Sequence, residues 1–160
     1  DMISHAKTEM DIIKELAPDN KAFRSLTLSW FENSPLLDII QKSQKLGFKL
    51  VITTDHGTIN VNQATKIIST KDAGTNLRYK TGRNVSHNSK DIIEVYNPKE
   101  FMLPAEHLNS KFIFAKGSQY FVFQNNFNHF ATHFRNTFQH GGVSMEEMIV
   151  PFVVMTPRES

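Results

Sequence analysis

"SPLLDIIQKSQKLGFKLVITTDHG", residues 34–57, is the stretch whose reading decides the fold. Ser34 is of the type that caps a helix, and Pro35 suits a first helical turn. Leu36, Leu37, Ile39, Ile40 and Leu46 supply an apolar face at helical spacing, and Gly47 ends it. "FKLVITT" follows at once as a short, nearly unbroken apolar run, the pattern of a strand buried on both faces. Then the polarity changes abruptly at Asp55, His56 and Gly57. Helix, glycine, buried strand, polar loop is the order of an α/β sheet, whose sites lie beyond the carboxyl ends of its strands. Asp and Gly are also turn formers, so Asp55-His56-Gly57 read alone is a turn.

On the amino-terminal side, "DMISHAKTEMDIIKELAPD" (1–19) has Ile3, Met10, Ile13 and Leu16 near helical spacing, with Pro18 just past the end. On the carboxyl-terminal side, Thr58 to Asn97 is polar and reads as exposed loops with a short strand or two. "DIIEVYNP" (91–98) predicts a strand ending at Pro98, and "KFIFAKGSQYFVFQ" (111–124) predicts a hairpin turning at Lys116-Gly117-Ser118. "NNFNHFATHFRNTFQHGG" (125–142) is aromatic and amide-rich without a clear period. "SMEEMIVPFVVMTP" (144–157) opens on a capping-box pattern, Ser144 to Glu147, and becomes a strand after Pro151. No internal repeat or low-complexity linker marks a domain boundary.

The 160 residues suffice for one core, and 39% hydrophobic with 21% charged residues is a globular composition. A formal charge of +2 is too small to argue for a nucleic-acid groove and is compatible with an anionic substrate. With no cysteine, any metal must be held by His, Asp or Glu, and a reducing, cytoplasmic setting is the expectation. No apolar stretch approaches the ~20 residues of a membrane-spanning helix.

Three places carry chemistry. Asp1 and His5 are four apart, on one face of a helix. Asp55 and His56 end the apolar run. His140 precedes Gly141-Gly142, where glycines allow a tight turn and close approach to a ligand. Singly, each has an ordinary reading: an ion pair, a turn, a loop histidine.

Together and in this order they resemble a known family. "TTDHG" after a strand looks like the Asp-His metal motif of the alkaline phosphatase superfamily, "DMISH" matches its Asp-x-x-x-His motif, and "HGG" its last metal-binding histidine. "HGGVSMEEMIVPFVV" is similar to the closing segment of PglZ domains, and the whole chain resembles the C-terminal part of the PglZ domain of PorX-type response regulators. The resemblance implies an alkaline-phosphatase-like α/β sheet flanked by helices. It implies a phosphodiesterase or phosphatase with two zinc ions, manganese being an alternative. Asp1, His5 and His140 would hold one ion. Asp55 and His56 would hold the other, with Gly57 permitting the turn that lets adjacent ligands converge.

The resemblance further implies that the nucleophile, a Thr or Ser, belongs to an upstream half that these 160 residues do not contain, with a receiver domain before it. The substrate class would be a phosphate ester, nucleotides and oligonucleotides included. A homodimer, a cognate histidine kinase, and secretion-system or sigma-factor partners in type IX secretion complete the expectation. The alternative is a metal-stabilised protein-binding module that signals without catalysis.

Weaker candidates for substrate contact are Arg78, Lys80 and Arg83 in "RYKTGR", since Arg can grip phosphate in bidentate fashion, and His129 with His133 in "NHFATHF". A solvated loop is the competing reading of both stretches. Most of the 13 Phe are expected in the core, and Glu146 and Glu147 in a helical turn outside the chemistry.

Overall fold

The computed structural model describes residues 19–69, 73–104 and 109–157. The helix expected over 1–19, with Asp1 and His5, lies outside them. The chain divides into two compact units: residues up to Asp55 together with those from Val150 onward, and His56–Ile149.

In the first unit, α1 (Asn20–Glu32) starts where the Asp19 carboxylate accepts the Ala22 N–H at 2.8 Å, satisfying one of the donors a helix start leaves open. α2 (Pro35–Lys45) has Pro35 at its first position and stops at Leu46-Gly47, as the sequence predicts. Ser34 departs from its expected role. It occupies the capping position, but its hydroxyl donates to the Phe31 carbonyl at 2.9 Å, back toward α1. β1 (Leu50–Thr53) pairs antiparallel with β10 (Phe152–Met155), Leu50 opposite Met155 and Thr53 opposite Phe152.

This unit corrects one expectation. β1 is not buried on both faces: half-buried and exposed residues alternate along it, and Val51 is 51% exposed. Among the described residues its ladder is the two-stranded β1–β10 ribbon, and the alternation leaves one face of β1 exposed. The apolar stripe of α2 is likewise uncovered, with Ile39 55% and Leu46 59% exposed.

The second unit holds the core. β2 (Ile59–Val61) pairs with β9 (Thr137–Gln139). β3 (Gln63–Ile68) lies between β5 (Ser86–His87), antiparallel, and β8 (Gln119–Phe123), parallel. β7 (Lys111–Ala115) lies between β4 (Tyr79–Gly82) and β6 (Ile92–Val95). Ile67, Ile113, Ala115 and Phe121 pack into one fully buried cluster, while Val61 and Tyr120 anchor a second with Ile59 and Val122. Burying each large side chain contributes roughly 1.5–3 kcal/mol. α3 (Phe127–His133) and the short α4 (Met145–Met148) complete the unit.

Two more expectations change here. Residues 58–97 hold more strand than expected: five short strands run through them. Some of their polar residues occupy exposed positions between buried ones, as Lys66 does between Thr65 and Ile67. And β7 and β8 are not a hairpin. The turn at 116–118 exists, but the strands belong to different sheets. The Ala115 N–H donates to the Arg78 carbonyl (2.9 Å) and the Phe121 N–H to the Leu77 carbonyl (2.7 Å), so residues 77–78 occupy the place of the hairpin partner. Both strands are buried almost throughout, which suits strands inside a core rather than the two-faced arms of a hairpin. Of the phenylalanines, only Phe112, Phe114 and Phe121 are fully buried among the described residues.

Candidate functional site

His56 and His140 meet because of the β2–β9 ladder. Ile59 lies opposite Gln139, so the residues just outside that end of the ladder are those around His56 and His140. Their rings stack at 3.8 Å between centroids with planes 10° apart, and both residues are half-buried. His56 Nδ1 lies 3.0 Å from the Gly57 carbonyl. A carbonyl only accepts, so this contact is a hydrogen bond when Nδ1 carries a proton. Asp55, the last residue of the first unit, is exposed, and its carboxylate accepts from the Thr54 hydroxyl at 3.4 Å.

Gly57 is required by proximity. A Cβ there would lie 2.0 Å from the Glu146 carbonyl oxygen, and the Gly57 N–H donates to the Glu147 carbonyl at 2.8 Å. Its φ is not left-handed. The glycine therefore admits the backbone of α4 rather than releasing a turn. Gly142 is alike: a Cβ would meet the Glu147 carboxylate oxygens at 2.6 and 2.8 Å. The close approach read from "HGG" is thus made to a side chain of the protein itself.

Glu147 is buried, 4% exposed, and so is its partner Arg78, at 0%. Arg78 Nε donates to Glu147 Oε1 (2.8 Å) and Nη2 to Oε2 (2.9 Å), a bidentate pair between residues 69 apart. The guanidinium also donates to the carbonyls of Ala115 (3.2 Å) and Gln119. Burial pushes the Glu147 carboxyl up, but hydrogen bonds from Arg78, Ser144 and Gly142 outweigh it and hold the group below its usual range.

Residues 1–155 match the family model described as the BREX system PglZ alkaline phosphatase-like domain. The chain belongs to the PglZ family. Its fold is of the phosphoesterase type. No curated protein matches it.

In this PglZ domain the expected site residues divide. His56 and His140 are brought into contact. Asp1 and His5 lie outside the described residues. Arg78, expected on a surface loop facing phosphate, is instead interior and engaged by Glu147. Lys80 is interior too: it is 1% exposed, its Nζ donates to the Gly74 carbonyl at 2.8 Å, and it lies 4.4 Å from the centre of the Phe123 ring. Burial pushes its pKa down to about 8. Arg83 is exposed just past β4. His129 and His133 are exposed on α3 and lie roughly parallel to each other at 6.3 Å.

The PglZ family implies a metal. Among the described residues no three His, Asp or Glu side chains converge. The groups that do meet are two imidazoles, and imidazole is a donor that fits zinc. Sequence reasoning missed Glu147 and Asn76. The capping-box pattern pointed to the Glu147–Ser144 bond, which is present at 3.2 Å, but nothing in the sequence joins Glu147 to Arg78. Nor does any motif contain Asn76, whose Nδ2 donates to the His140 carbonyl at 3.2 Å. No described helix is long and apolar enough to cross a membrane.

Proposed function

We propose that this PglZ domain is a zinc-dependent phosphoric ester hydrolase, with Asp1, His5 and His140 holding one ion and Asp55 and His56 holding a second. The observation that carries the reading is the His56–His140 stack. That contact, 3.8 Å between ring centroids, puts a proposed ligand of one ion beside a proposed ligand of the other. When bound, such ions lower the pKa of an attacking oxygen and neutralise charge on the phosphate. The chain's own contribution is to fix its donors. The Gly57 carbonyl orients the His56 ring through Nδ1, and the Asn76 amide holds the backbone of His140. Manganese suits the same donors. The substrate is a phosphodiester or phosphomonoester such as a nucleotide or oligonucleotide. The setting belonging to this proposal is the output domain of a dimeric cytoplasmic response regulator of the PorX type.

The test is turnover of bis-p-nitrophenyl phosphate by the full-length protein, with and without a chelator. Metal-dependent hydrolysis supports the reading. Absence of bound zinc after reconstitution, together with absence of turnover, removes it.

A further inference from the structure

A buried ion pair is a costly way to fill an interior, because desolvating two charges offsets much of their attraction and apolar residues of similar volume are often as stable. In this domain Glu147 has further bonds, and they lead to the segments that carry the two histidines. Each Glu147 carboxylate oxygen accepts twice. Oε1 takes Arg78 Nε and the Gly142 N–H (2.9 Å), while Oε2 takes Arg78 Nη2 and the Ser144 N–H (3.2 Å). The loop that begins at His140 is therefore wrapped on the carboxylate. The same residue's carbonyl accepts the Gly57 N–H at 2.8 Å, one residue from His56. Asn76 closes the other side. Its Nδ2 donates to the His140 carbonyl, and its Oδ1 accepts the N–H groups of Arg78 (2.7 Å) and Tyr79 (3.1 Å).

We infer that Arg78, Glu147 and Asn76 form a positioning brace that sets the His56–His140 stack, with Glu147 gripping the backbone beside both histidines at once. None of the three is a catalytic residue; they act through the rings they hold. Arg78 is the member that keeps the carboxylate charged and oriented, its guanidinium being anchored in turn to the carbonyls ending β7 and opening β8. The ion-affinity part of this inference rests on the reading above; the geometry of the stack does not.

The test uses the full-length protein with isotope-labelled histidine. The variants are Glu147→Gln, which keeps the shape but turns one acceptor into a donor facing N–H groups, and the double variant Arg78→Met/Glu147→Leu, which keeps the interior filled. Ile113→Val, in the core of β7, is the control for lost stability. Three quantities are read: melting temperature, the ring-to-ring NOE between His56 and His140, and zinc Kd by competition with a chelator. The brace predicts that folded Glu147→Gln and the folded double variant lose the NOE and bind zinc at least tenfold more weakly, while Ile113→Val keeps both. An NOE and a Kd within twofold of wild type in either folded variant would overturn it. Failure of both variants to fold would make the pair a stability element only, and would overturn it too. A wild type that shows the NOE but binds no zinc would sink the metal reading and leave the brace standing. Zinc binding with an NOE that persists in Glu147→Gln would do the reverse.

Discussion

Val51 sits in a run of aliphatic residues and is half exposed, while Arg78 sits in a polar run and is fully buried. The contrast extends to the units around them. In the first, neither helix buries a residue apart from the Ser34 cap between them, and β10 is exposed throughout. In the second, an arginine, a lysine and a glutamate lie inside with Ile67, Ile113 and Phe121. An apolar pattern marks which element forms, but burial needs a layer on each face, and β1 is half-buried only at alternate residues. A charge goes inside only where partners meet it, and Arg78 has a carboxylate and two carbonyls.

The comparison breaks most sharply at Arg78. Arg78→Ala leaves the Glu147 charge buried without its partner and should cost about 3–5 kcal/mol. Urea unfolding would measure it, and a loss below about 1 kcal/mol would mean that solvent reaches the site. Next is Gly57→Ala. The new methyl meets a main-chain oxygen that no rotamer change can remove, so a loss near 3 kcal/mol, the upper part of the usual overpacking range, is expected in the same assay.

Lys80 gives the opposite sign. Its folded pKa of about 8 lies below the ordinary lysine value of 10.5, so the folded state binds fewer protons between those values. Stability should therefore rise from about pH 8 to 10.5, the burial penalty being complete below that window and absent above it. Lys80→Met should stabilise by roughly 1–3 kcal/mol at pH 7, less whatever the Gly74 bond contributes, with the gain vanishing near pH 10.5. A pH-independent effect would contradict the assigned burial. The smallest effect belongs to the first unit. Ile39→Ser on the exposed stripe of α2 should change the melting of the 160-residue chain by no more than about 0.5 kcal/mol. A loss of several kcal/mol would show that this stripe is covered.

Much of this was legible in the sequence. Pro35 and Gly47 bound α2 as predicted, the run at 50–53 is a strand, "DIIEVYNP" contains β6, and Glu147 does reach back to Ser144. Asp55-His56 and His140 were singled out, and two of the three side chains meet. What was not legible depends on distant pairing. β2 alternates Ile59-Asn60-Val61 but is only three residues long, and β3 to β5 show no clear alternation; all become strands through partners elsewhere in the chain. The hairpin expected at 111–124 failed because proximity in sequence does not prevent residues 77–78 from taking the partner's place. Arg78 looked like a surface cation because its carboxylate lies 69 residues away. Of the glycines of "DHG" and "HGG", Gly141 takes the positive φ of a turn (96°), while Gly57 and Gly142 admit Glu146 and Glu147 rather than a turn or a ligand.

The central claim is that His56 and His140 are paired ligands of a hydrolytic metal centre, and zinc stoichiometry in single variants of the full-length protein tests it most directly. Wild type, His56→Ala, His140→Ala and the exposed control His133→Ala would be reconstituted with zinc, freed of excess metal and analysed for metal content, with melting temperature as the check on folding. The account predicts close to two zinc ions in wild type and in His133→Ala, and the loss of at least one ion, with turnover of bis-p-nitrophenyl phosphate falling by orders of magnitude, in each of the other two. Undiminished zinc and turnover in folded His56→Ala and His140→Ala would contradict it.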